Sequence, residues 1–356
     1  MLGKPNMDWP FYFCGLCYNR AMPTLAIVIV NYNTRDLLAT CLQSVYASET
    51  AHNYRVIVVD NRSSDGSAGM VATRFPQATL IETDRNGGFG YANNIGLRWL
   101  AAQPNLPQYG TNGDTLHLSG AAGGIQPLRE IPLHGDSPYS FPCDHVLFLN
   151  PDTVLPQEAL ERTITFLEDN PEAGVVGPKV IKPDGTLDLA CRRSFPTPVS
   201  SLFKLAGLSK LFPHSKLAAR YNLTYLSDDQ KAEVDSVMGA YMLVRGTALA
   251  QAGLFDERFF MYGEDLDLAF RIKARDWRVF YYPAVEVLHH KGASSRKQSD
   301  RSIREFYRAM RIFYRKHYAG QYNSVINLAV NLGITLRGTL ALTQNALRST
   351  ERKRVT

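Results

Sequence analysis

An α/β fold with a mostly parallel, doubly wound sheet is predicted by two features of the chain. Short, uniformly apolar, β-branched runs alternate with segments of helical periodicity, and the first two runs end on polar residues, Asn31 and Asp60. Uniform apolarity marks strands covered on both faces. Alternation with helices makes such strands parallel, and ligands then sit at their carboxyl ends.

The elements follow in order. Residues 25–30 (LAIVIV) read as the first buried strand. Leu37, Leu38, Cys41, Leu42 and Val45 recur at helical spacing over 34–46. Residues 55–60 and the shorter 79–82 are the next strands, and 89–100 reads as a helix. From Pro104 to Cys143 the pattern stops among scattered glycines and prolines, so 104–143 is expected to be an insertion. Residues 145–149 resume as a strand ending on Asn150-Pro151-Asp152. Further on, 234–244 reads as one strand, 264–275 as a helix, and 278–282 and 284–288 as two strands.

The tail from 301 to 318 reads as a helix with two stripes. Arg301, Arg304, Arg308, Arg311 and Arg315 form one, and Ile303, Phe306, Tyr307, Met310 and Phe313 the other. The arginines make either a solvated face or a face drawn to anionic phosphates. Residues 322–344 look like an apolar, interfacial helix. The run 325–342 is not expected to span a bilayer, because Asn327, Asn331 and Arg337 interrupt it.

The 356 residues exceed the needs of one small domain, and 45% hydrophobic with 20% charged residues is ordinary for a globular chain. The formal charge of +6 is mildly basic. Five cysteines form no disulfide framework and no second pair completes a zinc site with Cys14 and Cys17, which favours a reducing cytoplasm. Residues 1–22 carry no secretory signal core and are expected to be a disordered extension.

Several motifs carry chemistry. Glu264, Asp265 and Asp267 sit at the mouth of a helix, where its dipole favours ionised acids. They serve either as helix-start acids or, for one of them, as a general base. Asn150-Pro151-Asp152-Thr153 is either a plain turn or an acid that holds a diphosphate-bound Mg²⁺ or Mn²⁺. His289 or His290 would add a ligand, and imidazole suits Mn²⁺ better than Mg²⁺. Asp60, at a strand end, could accept a pyrimidine N–H, whereas Asp65 fits a helix cap. Asn86-Gly87-Gly88-Phe89-Gly90 is a glycine-rich turn into a helix, which admits phosphates near backbone N–H groups. The glycine pattern does not continue as a dinucleotide fingerprint requires, since Asn93 stands at the third position.

Taken together, these motifs resemble the inverting glycosyltransferases of family 2, in the rhamnosyltransferase-like branch. The match runs from about Leu25 to Tyr318. It rests on the strand ends at Asn31-Tyr32-Asn33 and Asp60-Asn61, the Asn86 turn, Asn150-Pro151-Asp152, Met238-Gly239-Ala240, the 253–267 segment ending in Glu264-Asp265-Leu266-Asp267, and His289-His290. The resemblance implies a GT-A fold, a nucleotide-sugar half fused to an acceptor half, over residues 23–300, with 301–356 a helical tail. It implies that Asn31, Asn33, Asp60, Asn61, Asn86 and Gly87 surround the donor nucleotide. Asp152, with one of His289 and His290, would serve the metal and diphosphate; Asn150 replaces the first acid of that motif. Asp265 aligns with the catalytic base, and Gly239, Ala240 and Glu264 would meet the acceptor. The softer run Arg192-Arg193-Ser194-Phe195-Pro196 tips the donor toward dTDP-L-rhamnose.

The activity so implied is transfer from a nucleotide sugar to a lipid-linked or polymeric glycan. It needs a divalent metal and no nucleic acid, and belongs on the inner face of the cytoplasmic membrane. One rival is a sugar-1-phosphate nucleotidyltransferase, which would want a glycine-rich basic signature after the first strand; Asn31-Tyr32-Asn33-Thr34-Arg35 supplies none. Another is a non-catalytic glycan-binding scaffold, against which Asp152 and Asp265 both weigh.

Overall fold

The computed structural model describes residues 24–103, 115–117, 140–198, 201, 211, 212, 214–217, 219–290 and 299–347. The expected extension at 1–22, Cys14 and Cys17, and most of 104–143 lie outside the described residues.

The chain folds as alternating strands and helices. Its elements are β1 (Thr24–Asn31), α1 (Arg35–Tyr46), β2 (Asn53–Asp60), α2 (Ser67–Arg74), β3 (Thr79–Glu82), α3 (Phe89–Ala101), β4 (Thr115–His117), β5 (His145–Leu149), β6 (Thr153–Val154), α4 (Ala159–Asp169), β7 (Ala173–Ile181), β8 (Ala232–Val234), β9 (Tyr241–Arg245), α5 (Gly246–Ala252), α6 (Glu264–Lys273), β10 (Arg278–His289), α7 (Ser299–His317) and α8 (Ser324–Ala346). One mixed sheet runs β4-β3-β2-β1-β5-β9-β7-β10-β6, with β8 on β10. β4, β3, β2, β1 and β5 are parallel, as the apolar runs require. Side chains of β1 alternate between two cores. Ala26, Val28 and Val30 pack on one face, and Leu25, Ile27 and Ile29 on the other.

The structure corrects four expectations. The 234–244 run is two strands, because residues 235–240 leave the sheet at the site edge and only Tyr241–Arg245 pairs with β5. The 278–288 region is one long strand with an irregularity between Tyr282 and Glu286, where Pro283 cannot donate to a ladder. Thr115–His117 extends the parallel edge beside β3, within the segment expected to lack pattern. α8 is a single 23-residue helix, long and apolar enough by length and composition to cross a membrane.

β9 sets the site. It is antiparallel to β5, pairing Leu149 with Tyr241, so its beginning lies beside the carboxyl end of β5. β10 is antiparallel to β6 and pairs His289 with Thr153. Residues distant in sequence thus reach one sheet edge.

The tail packs on this body. Phe313, Tyr314 and Tyr318 join Phe259 and Leu266 in a third core cluster, and Phe270 stacks at 4.0 Å from the His317 ring. α8 lies on α7: Tyr307 abuts Gly338, and the Tyr314 hydroxyl donates to Asn327 Oδ1 at 2.6 Å. The outer face carries Val325, Leu328, Leu332, Leu336 and Leu340 at three- and four-residue spacing, all exposed.

Candidate active site

Asn31 and Asp60 end neighbouring parallel strands, and Asn31 Nδ2 donates to Asp60 Oδ2 at 2.9 Å. Asp60 Oδ1 accepts Ser63 N at 2.7 Å. Asp60 is therefore a turn acid as well, a role the sequence had assigned to Asp65 alone. Asp65 does hold two helix starts, accepting from Ser67 N at 3.0 Å and from Arg35 N at 2.9 Å. Asn33 Oδ1 accepts Ser64 N at 2.8 Å. Asn61 is buried; its Nδ2 donates to Asn86 Oδ1 at 3.0 Å while its Oδ1 accepts Gly87 N at 3.2 Å. All six residues expected around the nucleotide are drawn together, and they brace one another's loops.

The glycine-rich turn has a structural task of its own. The Gly88 amide is taken by Asn86 Oδ1 and the Phe89 amide by Phe260 O at 2.9 Å. Those N–H groups face protein, not a phosphate. Gly88 has φ +94°, and a Cβ there would stand 2.3 Å from Phe260 O. Glycine is needed so that this turn can press against the 253–263 loop, which leads into α6.

At the end of β5, Thr153 Oγ1 donates to Asn150 O at 2.7 Å and closes a turn that presents Asp152. Turn and acid are both real at this motif. The His289 side chain meets it: Nε2 lies 3.1 Å from Asp152 Oδ1 and 3.3 Å from Asn150 Nδ2. His290 offers its backbone, N–H to Asp152 O at 2.8 Å, so His289 is the histidine of the pair whose ring faces the acid. Burial opposes charging that imidazole, but Asp152 and Asp188 outweigh it and push its pKa up to about 9. Asp188, at 3.9 Å from Nδ1, is beyond hydrogen-bond reach, so Asp152 is the stronger partner. Asp188 went unnoticed in the sequence because it lies on an unremarkable loop.

Among the described residues no three metal-type side chains cluster. Asp152 supplies one ligand of suitable kind and His289 a second once its ring gives up its proton to the binding ion, and Asp152 Oδ1 is buried without a well-formed hydrogen bond. That incomplete set fits a divalent cation whose other positions come from diphosphate oxygens and water.

Asp265 and Glu264 open α6 behind Gly263, whose φ is +81°. Asp265 Oδ2 accepts Arg193 Nη2 at 2.7 Å and Gly239 N at 3.1 Å, and Oδ1 accepts Leu266 N at 2.7 Å. Glu264 is 7% exposed and its Oε2 has no hydrogen-bond partner. Burial, then the charge of Asp265, pushes its pKa up to about 8, so the neutral, proton-donating form of Glu264 is favoured relative to a free glutamate. Asp267 faces the other way, into a buried network described below.

Asp265 is linked to the Asn150-Pro151-Asp152 turn through the β5–β9 edge. Asn150 N donates to Ala240 O at 3.0 Å, and the preceding residue, Gly239, donates to Asp265. Ala240 itself is 2% exposed, and it is its backbone carbonyl that takes part in this edge. Arg193, which the sequence marks only as part of a run that hints at the donor, has its partner 72 positions away, and nothing in local sequence shows it.

The sequence model described as "Glycosyltransferase like family 2" matches residues 23–310, and the chain belongs to that family. It is a glycosyltransferase. It is 27% identical over 332 residues, 92% of this chain and 96% of the relative, to the N-acetylglucosaminyl-diphospho-decaprenol L-rhamnosyltransferase of Mycobacterium tuberculosis. It is 23% identical to rhamnosyltransferase WbbL of Escherichia coli, covering 78% of this chain and 88% of that one. Among solved structures, the Staphylococcus aureus TarS 1–349 fragment overlays with a TM-score of 0.48 at 14% identity, covering 91% of this chain and 74% of that one.

Proposed function

We propose that this protein transfers a sugar, with inversion, from a nucleoside-diphosphate donor to a hydroxyl of a lipid-linked or polymeric glycan in cell-surface polysaccharide synthesis. The single observation that supports this reading is the run of hydrogen bonds that leads from Asp265, at the start of α6, through Gly239 and Ala240 to Asn150, two residues before Asp152. The two rhamnosyltransferase relatives make dTDP-L-rhamnose the favoured donor and a polyprenyl-diphosphate-linked sugar the favoured acceptor.

In this reading Asp265 takes the proton of the acceptor hydroxyl as its oxygen bonds to the anomeric carbon. The anomeric C–O bond breaks on the opposite face, and the nucleoside diphosphate leaves with the electron pair. Oδ1, with one donor against two on Oδ2, is the oxygen left open to the hydroxyl. Glu264 donates to an acceptor or donor oxygen. Asn31, Asn33, Asp60, Asn61, Asn86 and Gly87 shape the nucleotide end. Asp152 and His289 would hold a Mg²⁺ or Mn²⁺ ion, which when bound neutralises charge on the leaving diphosphate. Residues 23–300 are the catalytic unit, and the tail beyond faces the membrane.

Asp152→Ala is expected to weaken donor binding as well as turnover, measured by calorimetric titration of the nucleotide sugar with Mn²⁺; unchanged donor affinity would count against a diphosphate site there.

The membrane reading rests on α7 and α8. Arg301, Arg304, Arg308 and Arg315 are exposed on α7, and α8 turns its leucine row outward. Arg337 is exposed in the middle of α8, which suits a helix lying in the interface better than one crossing the bilayer. Replacing Leu328, Leu332, Leu336 and Leu340 together by Gln should abolish flotation with anionic liposomes; undiminished flotation would refute the interfacial role of α8. Truncation before Arg301 is the poorer test, since it would also remove buried Phe313, Tyr314 and His317.

The proposed activity is tested by offering dTDP-, UDP- and GDP-sugars with Mn²⁺ and an N-acetylglucosaminyl-diphospho-lipid acceptor. Mass spectrometry should show a deoxyhexose added from dTDP-L-rhamnose, with inverted configuration by NMR. A product of retained configuration would refute the mechanism.

A further inference from the structure

Two adjacent arginines, Arg192 and Arg193, are buried at 1% and 8% exposure on an extended segment. Extended backbone sends neighbouring side chains to opposite sides. Arg192 turns to a surface strap. It donates to Leu226 O at 2.9 Å and Asp228 Oδ1 at 2.6 Å, and its guanidinium lies 5.1 Å from the Tyr281 ring. Arg193 turns inward. Its backbone bridges to Ser236, and its Nη2 reaches Val237 O at 2.7 Å and Asp265 Oδ2 at 2.7 Å. Gly239 N, from the same 236–239 segment, donates to that same oxygen. One carboxylate oxygen is therefore clamped by a guanidinium and an amide that are themselves tied together.

We infer that Arg193 is the positioning residue for Asp265: it fixes Oδ2 against Gly239 so that Oδ1 alone faces the acceptor hydroxyl. The inference rests on the reading of Asp265 as the base. A free aspartate would rotate about χ2 and present either oxygen, and an acid this buried beside Glu264 needs a matched cation. Arginine suits the task because Nη2 serves both the Val237 carbonyl and the carboxylate, its two hydrogens held in the fixed plane of the guanidinium. The Arg193–Asp265 pair also joins the 191–195 segment to the start of α6, which are otherwise remote in the chain.

The test compares Arg193→Ala, Arg193→Lys and Asp265→Asn in the transfer assay, after circular dichroism and thermal melting establish which variants fold. Misplacing a reacting group by about 1 Å costs on the order of 10²-fold, so Arg193→Ala should lose about that much kcat with donor KM unchanged. Guanidinium at a sub-denaturing concentration should restore turnover to Arg193→Ala and not to Asp265→Asn, a readout that a merely structural arginine would not move. Wild-type kcat in folded Arg193→Ala, or no recovery with guanidinium, would overturn the inference. If the alanine variant does not fold, Arg193→Lys decides. Reduced kcat at unchanged donor KM supports the clamp, and wild-type kcat overturns it. Wild-type turnover in Asp265→Asn would overturn the base reading itself, whereas an inactive Asp265→Asn with unaffected Arg193 variants would overturn only the clamp.

Discussion

Asp265→Asn should lower kcat by about 10²–10⁴-fold, the usual contribution of a general base, while the donor still binds. The substitution keeps the side chain's shape, and the Leu266 amide can still donate to the remaining carbonyl oxygen. What it removes is an oxygen able to take a proton. It also sets an amide N–H₂ group in place of Oδ2, against both the Arg193 guanidinium and the Gly239 amide, so some loss of stability accompanies the loss of rate. Stopped assays of transfer, run beside titration of the nucleotide sugar, separate the two effects. Near-normal turnover would take Asp265 out of the reaction, and loss of donor binding alone would make it a donor contact.

The largest effect on stability is expected two residues further on. Asp267 is fully buried. Its Oδ2 accepts Arg271 Nε at 2.9 Å, and its Oδ1 meets His317 Nε2 and Lys316 Nζ, each at 2.8 Å. Arg271 in turn donates to Leu254 O at 2.8 Å, and Lys316 reaches Asp256 at 2.7 Å. One carboxylate thus ties α6 to the 252–256 loop and to the end of α7. Asp267→Ala leaves a guanidinium and an ammonium without their shared partner, which should cost about 3–5 kcal/mol. A large drop in the urea midpoint is the expected result, and a midpoint within error of wild type would show that the network is dispensable.

The same group gives a pH dependence of definite sign. Burial alone would raise the Asp267 pKa, but Arg271, His317 and Lys316 hold it well below the usual carboxylate range. A depressed carboxylate contributes its stability above its unfolded pKa. That contribution is complete above about pH 4 and is lost progressively as the pH falls below it. Acid unfolding should therefore be less steep in Asp267→Ala than in the wild type.

Much of the nucleotide half was legible from sequence because its signals are local. β1 and β2 are unbroken apolar runs, and the polar residues that end them necessarily arrive at one edge. What depends on pairing across long separations was not legible. An apolar run does not declare its direction, so nothing in 241–245 showed that β9 enters antiparallel between β5 and β7 and brings Gly239 to Asn150. The Met238-Gly239-Ala240 motif was recognised, but its place as a break between β8 and β9 was not. Asp60 and the glycines of the 86–88 turn were assigned to ligand where the structure shows them bracing loops as well, because a turn and a binding loop share composition. The choice between His289 and His290 required the register of β10 against Thr153. Arg193 and Asp267 have partners 72 and 50 residues away.

The most direct measurement is a crystal structure with the intact nucleotide sugar and Mn²⁺. The diphosphate should lie against Asp152 and His289, with the open face of the anomeric carbon toward Asp265 Oδ1. A donor seated away from Asp152, or a sugar screened from Asp265 by intervening protein, would contradict the account.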